Sequence, residues 1–184
     1  MLSVLRLTFT DGDYARARRK YRPVRIRILF VAESPPSSGG YFYFSKTVGK
    51  DHLFRETMKA LGFWPLSQPM GHGIDKRPLL EKFCSSGFFL IDTCGLPVDK
   101  LPTKTRVKKI GEGALRIASR VRHLNPGSIV VIKKTVFHPV RDSLVQAGLG
   151  NKVLNKKPLP FPSHGNQQRF RKQLIRLIES QRVV

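Results

Sequence analysis

The sequence predicts a three-layer α/β/α sandwich built on a central, mainly parallel four-stranded sheet. Three observations predict it. Apolar runs at residues 28–32, 87–93 and 128–133 are continuous rather than alternating, as in strands buried on both faces. Segments with helical periodicity separate these runs, the order that produces parallel strands joined by crossovers. Three polar clusters follow at strand ends: Glu33-Ser34 after the first run, Asp92-Thr93 closing the second, and residues 161–166 after a short fourth strand near Val153-Leu154. Open α/β sheets carry their sites beyond the C-terminal strand ends, so three polar clusters gathered there mark the candidate site.

Taken in order, residues 1–23 read as a basic arm, with Arg16, Arg18, Arg19, Lys20 and Arg22 and few apolar anchors. Such an arm is either a solvated tail or a clamp on a nucleic-acid backbone. Residues 24–184 read as one domain. Its first strand, 24–32, alternates and then runs apolar until Pro35-Pro36 stops it. The loop 37–40 is flexible, and four aromatics, Tyr41, Phe42, Tyr43 and Phe44, follow; not all can enter one core, so some are expected to line a pocket. Asp51 is placed to cap a helix that carries Leu53, Phe54, Met58 and Leu61 on one face and stops at Gly62. Residues 64–78 read as loop, 76–84 as a short helix and 87–93 as the second strand. A basic connector, 104–109, leads to a helix over 113–124. The third strand covers 128–133 and a further helix 139–147. The last helix spans 167–181, burying Phe170, Leu174, Leu177 and Ile178.

Composition narrows the partner. The chain has 184 residues, enough for one well-cored domain, and 34 Lys and Arg against 12 acids, a net charge of +22. Such an excess destabilises a compact fold through self-repulsion unless a polyanion offsets it, and nucleic acid ranks ahead of an anionic membrane surface. Two cysteines, Cys84 and Cys94, cannot supply a four-thiolate metal or cluster site, so no metal or cofactor is expected. The N-terminus does not read as a signal peptide, and no apolar run reaches the ~18 residues of a membrane span. A soluble, reduced, cytoplasmic monomer is the expectation.

The segment 155–173 organises the rest. A Pro-rich stretch reaches a small polar turn, Ser163-His164-Gly165-Asn166, that feeds a basic helix. Free N–H groups at a helix start favour an anion, and small residues let a phosphate backbone approach. Ser163, Gly165, Asn166 and Arg169 are therefore the candidate phosphate contacts, together with Pro35 on the facing loop.

These residues resemble the uracil-DNA glycosylase superfamily. Residues 32–36, Ala-Glu-Ser-Pro-Pro, are similar to that family's first motif, and residues 161–166, Phe-Pro-Ser-His-Gly-Asn, to its second. Tyr43-Phe44-Ser45 is similar to the segment that stacks on the flipped base, and residues 89–93 to the strand whose terminal Asn reads uracil. The resemblance implies a double-stranded DNA partner, base flipping into a pocket, and water-assisted hydrolysis of the N-glycosidic bond that leaves an abasic site. It implies catalytic roles for Glu33, Asp92 and His164, and base contacts from Ser34, Tyr43, Phe44 and Asp92. Three departures stand out. Ser34 occupies a position that is often Asp or Asn, Phe161 replaces the usual His, and Asp92 replaces the uracil-reading Asn. An ionised Asp only accepts hydrogen bonds, which suits the amino group of cytosine better than uracil. The expectation is excision of a damaged or modified pyrimidine, with a hypermodified phage cytosine, removed in antiviral defence, as one candidate. The alternatives are an ordinary uracil-excising repair enzyme and a DNA- or RNA-binding module of the same fold that has lost the chemistry. A nucleotide cradle at the first loop is disfavoured, because Pro35-Pro36 supplies no N–H groups.

Overall fold

The computed structural model describes residues 9–49 and 51–181. Within them lie six α-helices and a three-stranded parallel sheet of order β2-β1-β3, made of β1 (Ile28–Ala32), β2 (Phe88–Asp92) and β3 (Ser128–Val131). Every residue of β1 and β2 is buried, which requires cover on both faces of the sheet. Helix α1 is Asp11–Arg19, α2 His52–Ala60, α3 Arg77–Ser85, α4 Thr103–Leu124, α5 Lys134–Gln146 and α6 Gln167–Glu179. Helix α4 packs on α5 and α2 on α6.

The register sets the site. Ala32 stands beside Asp92, and Val31 beside both Ile91 and Val131. The residues just beyond, Glu33, Thr93 and Lys133, therefore leave the sheet at one edge.

The expected fourth strand does not form. Val153 and Leu159 make only isolated parallel bridges, to Ile129 and Ile132. Between them the buried Asn155 side chain takes the place of a strand backbone. Its Nδ2 donates to the Val131 carbonyl, and its Oδ1 accepts from the Val131 N–H, both at 2.9 Å. An amide side chain thus satisfies the outer edge of β3, where an exposed row of donors and acceptors would otherwise remain.

Other boundaries move for identifiable reasons. The first strand starts at Ile28 rather than 24, and Val24 is fully exposed. Helix α4 begins ten residues before the expected start and absorbs the basic connector. Gly113 is not a helix start but a close-contact point: a Cβ there would lie 2.4 Å from the Thr93 carbonyl oxygen. Helix α5 begins at Lys134 and runs through Pro139, which cannot donate the usual i→i−4 bond. Asp51 does sit at the N-cap of α2, but its carboxylate accepts a 2.7 Å bond from the buried Lys76 ammonium and makes no side-chain cap bond.

Residues 1–8 of the basic arm fall outside the described residues; the remainder folds onto the domain. Thr10 and Asp13 form a capping box that starts α1, and Tyr14 is buried against Tyr41, with ring centroids 4.9 Å apart. The four aromatics at 41–44 all pack inward. A turn closed by the Phe44 N–H donating to the Tyr41 carbonyl splays them, so three are buried and Phe44 is half-buried.

Candidate active site

The loops after β1 and β2 are tied together. The Thr93 N–H and hydroxyl donate to the Ala32 carbonyl, and the Cys94 N–H donates to that of Glu33, all at 2.8 Å. Farther out, Ser34 Oγ accepts from the Val98 N–H at 3.3 Å, and Ser37 donates to Asp99 through both its N–H and its hydroxyl.

Glu33 is buried at this edge and its carboxylate is claimed twice. Arg106 of α4 grips it with Nε at 2.5 Å and Nη2 at 2.9 Å, and the Lys133 ammonium pairs with it from the end of β3. Burial alone would raise the carboxyl's pKa. The hydrogen bonds from Arg106 and Lys133 outweigh burial and hold it below its ordinary value. Lys133 has a left-handed backbone, φ 82°, at the N-cap of α5, and its ammonium lies 5.3 Å from the Phe161 ring centroid. A non-glycine residue in that region is strained and is held there by its surroundings.

Asp92 closes β2 in a different setting. It is 3% exposed; the Tyr41 hydroxyl donates to its Oδ2 at 3.2 Å, and Arg18 Nη1 lies 3.7 Å from the same atom. Burial pushes its carboxyl up to about 6, against the pull of Arg18 and the Tyr41 hydroxyl. Its backbone carbonyl accepts from Arg120 at 2.6 Å.

A small cavity of about 70 Å³ lies between these loops, with Ser34, Pro36, Tyr41, Leu90, Asp92 and Phe161 in its wall. Residues from the loop after β1, from the segment before α6 and from the end of β2 thus meet around one space. Its volume is far below the ~300 Å³ at which small-molecule pockets begin.

Several sequence-predicted site residues lie elsewhere. Tyr43 is a core residue: its hydroxyl donates to the Leu90 carbonyl at 3.1 Å and accepts from the Leu90 N–H at 2.7 Å. Phe44 packs against Phe9 and Tyr14 instead of lining the cavity, with centroids at 4.6 and 5.7 Å. Pro35 is buried, which leaves it no face for a phosphate backbone. The turn at 163–166 is open. His164 and Gly165 are exposed and take left-handed backbone angles, φ 51° and 81°. Ser163 Oγ and His164 Nδ1 hydrogen-bond at 2.9 Å, and Asn166 Nδ2 donates to the Ser163 carbonyl at 3.1 Å. The first turn of α6 carries no acid, and Arg169 is exposed beside it. Arg171 on the same helix pairs instead with Glu56.

Sequence reasoning missed Arg106, Arg120 and Lys133, and took Arg18 only as part of a basic arm. In a chain with 34 basic residues no single cation carries a local signal. The scarce acids do, because a buried carboxylate must find a cation.

Among protein-family models and curated proteins, none matches this chain. Among the described residues, no group of three or more His, Cys, Asp and Glu is placed to hold a metal ion, and no helix is long and apolar enough to cross a membrane.

Proposed function

We propose that this chain is a DNA glycosylase that excises a modified pyrimidine, with Asp92 as the base-reading carboxyl. One observation carries the reading: Asp92 is buried in the wall of a cavity shared by Ser34 of the first motif loop and Phe161 of the second. At about 70 Å³ the cavity must enlarge to admit a base, and Phe161 in its wall is only half-buried. A neutral Asp92 donates and accepts, whereas an ionised one only accepts, so a carboxyl titrating near 6 suits a base edge that carries an amino group.

Excision breaks the N-glycosidic bond, the base departing with its electrons; a water adds its oxygen to C1′, and the proton it releases ends on the departed base. Positive charge develops on the sugar and negative charge on the base. Glu33, already neutralised by Arg106 and Lys133, is no free base. Its role in this reading is to hold those two cations at the strand ends; Lys133, 5.3 Å from the Phe161 ring in the cavity wall, is the one that stabilises the departing base. The open turn 163–166 and Arg169 supply the phosphate contacts.

The test is strand incision after alkali, on duplexes carrying uracil, cytosine, 5-hydroxymethylcytosine or its glucosylated form. Cutting at modified cytosine only is the expected result; cutting at uracil overturns the assignment to Asp92. A second reading, a nucleic-acid-binding module without chemistry, is favoured by the double clamp on Glu33 and the small cavity. Tight duplex binding with no incision of any substrate establishes it. In both readings DNA affinity falls steeply with salt.

A further inference from the structure

A second cavity, of about 280 Å³, lies between α1, β2 and α4. Phe89 and Ile91 form its apolar side, and Arg18, Arg19, Arg22 and Arg120 line it. Side chains alternate along a strand, so Phe89 and Ile91 project to the face opposite Leu90 and Asp92. Strand β2 therefore separates this cavity from the strand-end cavity.

The charges here are unbalanced. Four guanidinium groups share one cavity, and Asp92 is the acid in direct contact with them: Arg18 stands 3.7 Å from its carboxylate, and Arg120 bonds its backbone carbonyl. Among the described residues neither Arg19 nor Arg22 makes an ion pair. Arg18 and Arg120 are partly buried, where like charges repel more strongly than in water. Each guanidinium offers a planar fork of donors that matches a phosphate's oxygens. We propose that this cavity binds a phosphate group, held by Arg19, Arg22 and Arg120, with Arg18 bridging it to Asp92. The inference stands without the glycosylase reading, since it needs no chemistry at Asp92. The phosphate belongs either to a free nucleotide or to a nucleic-acid backbone.

The test titrates the full chain with inorganic phosphate, a deoxynucleoside monophosphate and a short duplex, at ionic strength held constant with chloride, followed by calorimetry. Arg19 and Arg22 are exposed, so an R19Q/R22Q variant keeps the fold. A K104Q/K108Q variant removes the same charge from exposed positions on α4 and serves as the control. Saturable one-to-one binding is expected, weakened at least tenfold in R19Q/R22Q and less than twofold in the control. If the monophosphate shows this pattern, the source is a free nucleotide. If the duplex shows it, and a separate series at varied chloride gives a salt slope of duplex binding lower by about two in R19Q/R22Q, the source is the backbone. Equal losses in the two variants, or no saturable binding of any of the three, overturn the proposal.

Discussion

Arg106 grips both carboxylate oxygens of Glu33, Nε at 2.5 Å and Nη2 at 2.9 Å, across 73 residues of sequence. The pair fastens the start of α4 to the end of β1. It also fixes the charge state of the most prominent acid at the strand ends, and Lys133 shares the same carboxylate.

Removing either partner of that pair should cost stability. Arg106→Gln leaves Lys133 with Glu33 and should destabilise by about 1 to 2 kcal/mol; Glu33→Gln leaves two cations facing a neutral amide and should cost about 2 to 3 kcal/mol. Urea unfolding of both single variants and the double variant gives the coupling, and additive effects would show that the pair is energetically idle. The pH direction follows. The folded pKa of Glu33 is lowered, so its contribution is present above 4.5 and is lost as pH falls through the lowered value. Arg106→Gln should move that acid loss to higher pH.

Asp92 has the opposite sign. Its ordinary pKa of 3.8 rises to about 6 in the fold. Between those values the folded protein holds the proton and the unfolded chain has released it. The stability this group contributes therefore falls as pH rises through that window, by about 3 kcal/mol. Asp92→Asn removes the titration. Denaturation at pH 4 and at pH 7 should show the variant gaining on the wild type by that order; an unchanged difference would mean that Asp92 titrates normally.

Gly113 is a packing requirement. Ala at this position would place its Cβ 2.4 Å from the Thr93 carbonyl oxygen, so Gly113→Ala should cost about 1 to 3 kcal/mol despite alanine's better helix propensity. A stabilised variant in thermal unfolding would refute the close approach of α4 to the end of β2.

Asn155→Ala strips the partner from the Val131 N–H and C=O at the outer edge of β3. A loss of about 2 kcal/mol is expected, together with faster hydrogen exchange at the Val131 amide. Exchange at the wild-type rate would count against the amide's role as a strand substitute.

Three parallel strands and five of the six helices among the described residues were legible in the sequence, since burial and periodicity are written locally. The continuous apolar runs ending at Ala32 and Asp92 placed both strand ends within a residue of their positions. The same patterning failed at α4, where a glycine read as a helix boundary is a close contact, and at Val153, where a side-chain amide replaced a strand. It failed at α1 because Tyr14, one aromatic among many charges, is an anchor only once Tyr41 is beside it.

The candidate site divides along the same line. The sequence by itself determined that Glu33, Ser34 and Asp92 stand at the ends of buried strands, because residue order decides which residue follows an apolar run. Only the tertiary structure decided that Arg106 and Lys133 neutralise Glu33, that Arg18 and Tyr41 meet Asp92, and that Tyr43 belongs to the core. Pairing and burial depend on distances between segments far apart in the chain, and among 34 cations nothing local marks the few that fall within reach of a buried carboxylate.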